Sequence, residues 1–420
     1  MDALTTPSNW QKVRLGDVGK PCMCKRVMKH QTTRYGEIPF YKIGTFGNTA
    51  DAFISKKLFL EYKTKYSFPK KGDILISASG TIGRAVIYDG KPAYFQDSNI
   101  VWIDNDETLV KNDFLFYAYS NIKWNTEHTT ILRLYNDNFR NTLIPLPPLN
   151  EQIAIANILS DVDRYLYSLR ALILKKESVK KALSFELLSQ RKRLKGFNQN
   201  WQRVRLGDIA EIKRGASPRP IENPKWFCAN SNVGWVRISD ISKNSRFLYK
   251  TAQKLSKKGI EKSRFIKQNS LIMSMCATIG KPIITKIDTC IHDGFVVFEN
   301  PKIDLNYLYY FLCYIEKEWL ESGQQGSQVN LNVDLIKNKE VFCPKDLNEQ
   351  IAIANILSDV DNEIISLKNK KRQFDNIKKA LNHDLMSAKI RVLKNKRPKS
   401  QGQTRFLKET PKLLGLRERS

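Results

Sequence analysis

The chain has 420 residues, which is enough for two or three domains with their own hydrophobic cores. Seventy lysines and arginines against 42 acidic residues give a formal net charge of +28, and this excess predicts a polyanionic partner such as nucleic acid. The seven cysteines have no regular spacing, which argues against a disulfide framework and predicts a reducing compartment. The sequence contains neither a signal-peptide pattern nor an apolar run of about 18 residues, so we expect a cytoplasmic protein that does not enter a membrane.

The chain contains one unit written twice. Residues 149–163 recur without change as residues 347–361, and residues 10–18 return as residues 201–209 with two conservative changes. The spacing of 198 residues (347 minus 149) is too long for a solenoid, whose repeats run about 20–50 residues. We interpret it as a domain duplication. Because the sequences between the shared landmarks differ widely, one scaffold is predicted to carry two different surfaces.

Each half is predicted to begin with a mixed globule. β-branched or alternating runs predict strands at residues 73–77, 85–88 and 99–103, and at 271–274, 282–287 and 294–298 in the second half. Short helices are predicted at residues 111–122 and 305–320. We assign their aromatic residues to the core rather than to base stacking, because aromatic side chains dominate buried area.

A long helix is predicted after each globule, over residues 151–193 and 349–393, where neither proline nor glycine occurs. Apolar residues spaced alternately by three and four predict a coiled-coil seam, with a shift of register after Ile173. The paired acids Asp161 and Asp163, and likewise Asp359 and Asp361, are interpreted as part of a hydrated helix face rather than as acid–base catalysts. The predicted seam consists of Ile155, Leu159, Val162, Leu166, Leu169, Ile173, Val179, Leu183 and Leu187, with Ile353, Leu357, Val360, Ile364, Leu367, Phe374, Ile377, Leu381 and Leu385 in the second helix.

The predicted fold class is α+β, with two mixed α/β globules separated by a long antiparallel two-helix coiled coil in a pseudo-two-fold arrangement. Pairing of the helices with those of another chain stays open. An antiparallel pair would hold the globules more than one DNA turn of about 34 Å apart. The predicted domains are a first globule (1–148), a first long helix (149–195), a second globule (196–346), a second long helix (347–393) and a basic, disordered tail (394–420).

No pattern in the sequence supports catalysis. Segment 77–84 lacks the lysine and hydroxyl residue of a nucleotide-binding loop, and the nuclease-like segment 211–213 has no counterpart in the first half. Cys22, Cys24 and His30 are three candidate ligands, whereas a structural zinc site needs four. We therefore predict no catalytic, cofactor-binding or metal-binding residues in this chain.

Several motifs resemble those of type I restriction-modification specificity subunits. They are the segment 146–152 leading into an Ile/Leu-rich helix, the Val-Arg-Leu-Gly-Asp openings at 13 and 204, the Ile-Ser-x-x-x-Thr-Ile-Gly segment at 76–83, and the Gly-Ser-Gln-Val-Asn-Leu segment at 326–331. The resemblance covers residues 10 to about 393 and appears twice in the family's order. Two departures stand out. The second helix lacks the double proline before it, and the first globule closes with segment 129–134 instead of a Gly-Ser-Gln form.

The resemblance implies that the two globules are target recognition domains. It further implies a non-catalytic subunit that recognises an asymmetric, bipartite DNA site in a prokaryotic cytoplasm. The implied partners are double-stranded DNA, two methyltransferase subunits and restriction (endonuclease/translocase) subunits. S-adenosylmethionine, ATP and magnesium are then expected in those partners and not in this chain.

Two other functions stay open at this point. One is a basic coiled-coil nucleic-acid adaptor without sequence specificity. The other is a self-sufficient methyltransferase or nuclease.

Polar and basic residues near the recurring landmarks are the candidates for DNA binding. Arginine and lysine suit guanine in the major groove, and asparagine and glutamine suit adenine, although phosphate contact is an open alternative for each residue. The candidates are Lys42, Thr81, Arg84, Arg133, Tyr135, Asn136 and Arg140 in the first half, and Arg214, Arg219, Arg237, Lys281, Gln325, Ser327, Gln328 and Asn330 in the second.

Overall fold

A computed structural model describes residues 10–125, 134, 136–243, 246–322 and 331–392. The chain divides into two compact units, unit 1 with residues 1–168 and 372–420 and unit 2 with residues 169–371. Each unit contains one globule and part of both long helices, and only unit 2 is continuous in sequence. The predicted tail (394–420) and the candidates Arg133, Tyr135, Gln325, Ser327, Gln328 and Asn330 lie outside the described residues.

Unit 1 is built on an antiparallel sheet and a smaller mixed sheet. Its elements are β1 (Gln11–Arg14), α1 (Leu15–Val18), β2 (Gly19–Met23), β3 (Ile38–Tyr41), β4 (Phe53–Ile54), α2 (Lys56–Lys65), β5 (Ile74–Ser77), β6 (Ala85–Ile87), β7 (Tyr94–Phe95), β8 (Ile100–Asn105), α3 (Asn112–Tyr119), α4 (Asn136–Asn141), β9 (Leu143–Leu146) and the start of α5 (Leu149–Leu188). The larger sheet has the order β2-β8-β5-β6 and the smaller one β4-β3-β7, with β3 and β7 parallel.

Unit 2 repeats this plan with additional strands. After the end of α5 come β10 (Gln202–Arg205), α6 (Leu206–Ile209), β11 (Glu211–Arg214), β12 (Gly234–Val236), α7 (Ile238–Ser242), β13 (Phe247–Leu248), β14 (Gln253–Lys254), α8 (Lys257–Glu261), β15 (Arg264–Ile266), β16 (Leu271–Ser274), β17 (Pro282–Thr285), β18 (Thr289–Ile291), β19 (Phe295–Glu299), α9 (Leu305–Tyr314), α10 (Glu316–Ser322), α11 (Val333–Asn338), β20 (Glu340–Cys343) and α12 (Leu347–Met386). The sheets have the orders β11-β19-β16-β17-β13 and β14-β12-β18-β15, and β12 and β18 are parallel.

The predicted strands and the aromatic core are confirmed. All six predicted strands form, with ends that differ by one or two residues. Phe114, Tyr307 and Tyr310 are buried, as expected for residues that hold sheet and helix together. The predicted helix over residues 305–320 is two helices instead, because the buried Ile315 leaves the helical conformation between α9 and α10.

The two ends of each globule pair with each other. In unit 1, β1 pairs antiparallel with β9, and in unit 2, β10 pairs antiparallel with β20. The partners Val13 and Ile144 occupy the same place as Val204 and Val341. Each globule is therefore closed immediately before its chain enters a long helix.

The long helices α5 and α12 have 40 residues each. Their seam keeps the three-four spacing without a shift, so the predicted change of register is wrong. Val179, which that shift placed in the seam, is 40% exposed, and the predicted seam residue Ile377 of the second helix is 38% exposed. The unshifted positions carry Lys176, Lys180 and Lys378, which form ion pairs of 2.6–2.8 Å with acids of the other helix in the same unit. The two pairs of unit 2 show that its helix segments run antiparallel, and in unit 1 the Lys378–Asp163 pair together with the ring contact between Tyr165 and Phe374 shows the same.

Both helices end earlier than glycine and proline placement predicted. Gln190 and Ala388 follow the last helical turns with φ of +63° and +55°, a left-handed conformation that is typical of helix ends. The N–H groups of Lys192 and Ile390 then donate back to the carbonyls of Glu186 and Asp384. No helix in the described part of the chain is long and apolar enough to cross a membrane.

A glycine turn follows β5 in unit 1 and β16 in unit 2. The Ser77 hydroxyl donates to the Thr81 carbonyl, and the Ser274 hydroxyl donates to that of Thr278. Gly83 and Gly280 close these turns with φ of +80° and +75°, and a Cβ on either one would clash with the ring of Trp124 or Trp319. The glycine of the shared Thr-Ile-Gly motif is thus required by the backbone of the turn.

Replacing Gly83 or Gly280 by alanine should strongly destabilise the unit that contains it. Left-handed backbone costs a non-glycine residue about 1–2 kcal/mol, and crowding the tryptophan should add about 1–3 kcal/mol. Gly72→Ala is the matched control, because Gly72 has a φ of +95° and open space around it. Urea unfolding of the three variants measures the difference, and equal losses would contradict the clash.

Candidate functional site

The parallel strand pair of the smaller sheet brings candidate residues to one edge of each unit. Parallel neighbouring strands end at the same edge of a sheet, so Lys42, which follows β3, lies beside Gln96, which follows β7. The Gln96 N–H donates to the Tyr41 carbonyl. In unit 2, β12 and β18 are parallel, so Arg237, which follows β12, lies beside His292, which follows β18.

Four segments meet at this edge in unit 1, following β2, β3, β5 and β7, and we call them the unit 1 loop cluster. Gln96 accepts a hydrogen bond of 2.9 Å from the Ile43 N–H. Arg84 Nη1 donates to the Phe46 carbonyl at 2.9 Å. Ser79 and Asn99 bond at 2.8 Å, which joins the glycine turn to the turn after β7. The cluster is completed by an ion pair of 2.7 Å from Arg26 Nε to Asp97 Oδ2.

The corresponding segments of unit 2, after β11, β12, β16 and β18, form the unit 2 loop cluster. Asp293 lies at its centre. Its backbone carbonyl accepts from Arg214 Nε at 2.8 Å, and its carboxylate accepts from Ser217 Oγ at 2.9 Å and from Arg219 Nη2 at 3.2 Å. The Met275 N–H donates to the Gly294 carbonyl at 2.8 Å, so the glycine turn is joined to this cluster as well.

The charges of the unit 2 loop cluster influence one another. Burial acts to raise the pKa of Asp293, but the hydrogen bonds from the Ser217 hydroxyl and from its own backbone N–H, together with the charge of Arg219, outweigh it, so this pKa lies below its ordinary value. Burial lowers the pKa of His292, and the charge of Arg237 acts in the same direction while Asp293 opposes it. The His292 Nδ1 accepts a hydrogen bond of 2.9 Å from the Gly294 N–H, which requires the unprotonated nitrogen.

The structure brings some of the predicted DNA-binding residues together and places others elsewhere. Lys42, Thr81 and Arg84 belong to the unit 1 loop cluster, and Arg214, Arg219 and Arg237 to that of unit 2. Lys42 pairs with Asp51 at 2.8 Å. Lys281 ends the second glycine turn, and its charge acts on Glu316 of α10. Asn136 begins α4 two residues after Leu134, whose N–H donates to Ala78, while Arg140 packs beside Gly16 of α1.

Sequence reasoning missed several residues of the loop clusters, among them Arg26, Asp97 and Asp293. One signal was available. When the halves are aligned, Gln96-Asp97 falls opposite His292-Asp293, so an acid occurs at the same turn of both halves in a chain with an excess of cations.

A second shared feature is a buried carboxylate at the start of each long helix. In unit 1, Glu151 accepts from the indole of Trp10 at 3.1 Å and from Arg391 at 2.7 and 3.0 Å. In unit 2, Glu349 accepts from Trp201 at 3.2 Å and from Arg193 at 2.9 Å. We call each set of three residues a helix anchor. It joins the start of a globule, the start of one helix and the segment after the end of the other.

The neighbouring residues of the repeated block extend each anchor. The Gln152 side-chain carbonyl accepts from the Lys111 N–H at 2.8 Å, and that of Gln350 accepts from the Asp304 N–H at 2.8 Å. The repeated block therefore makes the same contacts in both halves.

The interpretation of Asp163 and Asp361 as part of a hydrated face is wrong. Asp163 accepts from the Tyr117 hydroxyl at 2.9 Å and pairs with Lys378 at 2.6 Å. Asp361 makes the same two contacts, with Tyr310 at 2.9 Å and Lys180 at 2.6 Å. Each acid lies next to a seam position, where a tyrosine and a lysine reach it from two sides.

The cysteine and histidine side chains of the described residues form no candidate metal site. No group of three or more His, Cys, Asp or Glu side chains with metal-binding geometry occurs within residues 10–125, 134, 136–243, 246–322 and 331–392. Burial raises the pKa of Cys24 to about 12, so this residue is a thiol and not a thiolate at neutral pH.

These observations define a tandem-duplicated protein in which two copies of one scaffold carry different polar loop clusters. The family model of the type I restriction modification DNA specificity domain matches residues 7–177 and again residues 198–374. The chain belongs to this family.

Individual relatives agree with this assignment. The MjaVIII type I restriction enzyme specificity subunit of Methanocaldococcus jannaschii is 28% identical over 424 aligned residues, covering 93% of this chain and 95% of that protein. The S.HindORF215P protein of Haemophilus influenzae is 64% identical over 148 residues, which is 35% of this chain and only 38% of that protein. The crystal structure of the type I restriction-modification system S subunit from M. genitalium has the same fold, with a TM-score of 0.60 at 17% identity over 92% of this chain and 98% of that one.

The Glu349→Gln substitution should lower the free energy of unfolding by about 2–3 kcal/mol, because it leaves the Arg193 charge of a buried pair without its partner. Glu349 is 1% exposed. Glu340→Gln is the control, since the Arg203–Glu340 pair of 3.6 Å is exposed on both sides and should contribute less than about 0.5 kcal/mol. If the two variants lose equal free energies of unfolding in denaturant, the buried ion pair of the helix anchor stabilises the protein no more than the exposed pair does.

Acidification should destabilise unit 2 through His292. The folded pKa of His292 lies below its ordinary value of 6.5, so the unfolded chain binds more protons once the pH falls through this value. Stability is therefore complete above the ordinary histidine pKa and is lost as the pH falls below it. His292→Gln, which installs the residue found at Gln96 in unit 1, should reduce this loss when unfolding is followed at several pH values. An unchanged pH profile would contradict the assignment to His292.

Proposed function

We propose that this chain is the DNA sequence-specificity subunit of a type I restriction-modification complex, in which each unit reads one part of an asymmetric bipartite site. One observation carries the proposal. The helix anchor and the glycine turn recur contact for contact in both units, while the loop clusters on the same scaffold carry different cations. Family membership and the net charge of +28 support it.

The candidates predicted from the sequence are the proposed DNA-binding residues. Exposed arginines such as Arg84 and Arg219 present planar donor groups that match guanine edges or phosphate oxygens. Binding is expected to weaken steeply with salt, because each neutralised phosphate releases counterions.

We place the docking sites of two methyltransferase subunits on the repeated blocks. Leu149 and Ile153 are 40% and 46% exposed, and their counterparts Leu347 and Ile351 are 52% and 37% exposed. Two identical partners need two identical surfaces, and the repeated blocks provide them. The chain itself is non-catalytic in this proposal. S-adenosylmethionine, ATP and magnesium belong to the methyltransferase and restriction subunits.

Exchanging one globule for the other tests the proposal. A variant in which residues 201–341 replace residues 10–144 keeps a tryptophan in both helix anchors. The exchanged segment begins one residue before β1 or β10 and ends within the paired strand β9 or β20. Selection from random duplexes, run on the complex with methyltransferase subunits, should return the second half-site twice.

The unaltered chain in the same selection is the control and should return two different half-sites. If neither half-site changes, or if a folded variant loses both half-sites, the proposal that each unit reads its own half-site is contradicted. A control selection without any motif would instead indicate a nucleic-acid adaptor without sequence specificity.

A further inference from the structure

Each loop cluster contains an acid that holds an exposed arginine. Asp97 is 17% exposed and its partner Arg26 is 67% exposed. Asp293 is 42% exposed and its partner Arg219 is 74% exposed. Exposed ion pairs add little to folding stability, so the recurrence of this arrangement at the same turn in both units calls for another role.

The geometry points to a positioning role. Arg26 donates its Nε–H to Asp97 Oδ2 at 2.7 Å, so this bond uses one of the five N–H donors of the guanidinium. Arg219 uses only Nη2 for Asp293. A guanidinium has five N–H donors in a rigid planar group. One bond to a carboxylate therefore orients the whole group and leaves the other donors available for DNA.

Both acids are themselves fixed. Asp293 receives the Ser217 hydroxyl at 2.9 Å, and its pKa lies below the ordinary value. Asp97 lies between Gln96, which is bonded to Ile43, and Asn99, which is bonded to Ser79. The carboxylates are thus parts of the rigid edge of the small sheet, whereas the arginines come from the longer segments that follow β2 and β11.

We propose that Asp97 and Asp293 are positioning residues and that Arg26 and Arg219, held by them, each read a guanine in the half-site bound by their own unit. The inference rests on the proposed DNA-reading function and names a specificity contact within it. Guanine offers two acceptors, N7 and O6, on its major-groove edge, and a fixed arginine fork bonds both. Phosphate contact alone would need only a positive charge.

The tighter pair should have the larger effect. Arg26 and Asp97 are joined at 2.7 Å with the acid mostly buried, while Arg219 and Asp293 are joined at 3.2 Å with a more exposed acid. Substitution of Asp97 should therefore loosen base preference more than substitution of Asp293.

The test compares selections from random duplexes by the full chain in its methyltransferase complex. Arg26→Lys keeps the charge but removes the fork, and Asp97→Asn keeps the arginine but removes its partner. Both should reduce the preference for one and the same guanine in one half-site, by about fivefold to a hundredfold for Arg26→Lys. Arg219→Lys and Asp293→Asn should act in the same way on a guanine of the other half-site.

The unaffected half-site in each variant shows that the protein is folded and assembled, and Arg203→Lys on β10 is the matched exposed control that should leave the motif unchanged. The slope of affinity against salt should stay constant in Arg26→Lys, because the number of cations does not change. An unchanged motif, altered preference in both half-sites, or half-sites without guanine would overturn the inference. If the unaltered chain selects a bipartite motif and the variants select the same one, only this inference fails. If the unaltered chain selects no motif, the proposed function fails with it.

Discussion

A buried carboxylate at the start of each long helix organises the rest of the protein. Glu151 and Glu349 are almost fully buried, and such a charge is tolerated only where strong donors surround it. An indole and a guanidinium supply these donors in both units. The first comes from the start of the globule and the second from the segment after the other helix. One interaction thereby fixes where the globule begins, where the helix begins and which helix segment lies beside it.

With this framework fixed by the repeated block, the loop clusters can differ without altering the scaffold. The small sheet delivers its strand ends to one edge, and the residues at that edge are polar and largely cationic in both units. The acids Asp97 and Asp293 are exceptions to this charge, and each lies against an arginine. In a chain of net charge +28, an acid within a basic cluster reduces cation repulsion and gives an arginine one preferred direction.

Much of the fold was predictable from local patterns. Strands such as β5 and β16 and the aromatic core follow from short runs of apolar residues, and the duplication follows from identity. The seam was harder, because Lys176, Lys180 and Lys378 occupy apolar positions and only their acidic partners on the other helix explain them. Arg26 and Asp97 lie 71 residues apart in sequence, and their contact depends on a parallel strand pairing that no local pattern reveals. The contacts of the loop clusters therefore came from the structure and not from the sequence.

The discontinuity of unit 1 has a consequence for biosynthesis. Unit 2 is one continuous stretch, and the arginine of its anchor, Arg193, precedes Glu349 in the chain. Unit 1 contains Glu151 in its first segment but receives Arg391 only after the whole of unit 2 has been made. Since chains emerge from the ribosome N-terminus first, the globule that is synthesised first is completed last. Until Arg391 has been synthesised, Glu151 lacks the cation that balances its charge. The loop cluster of unit 1 is therefore made before the helix anchor of unit 1 is complete.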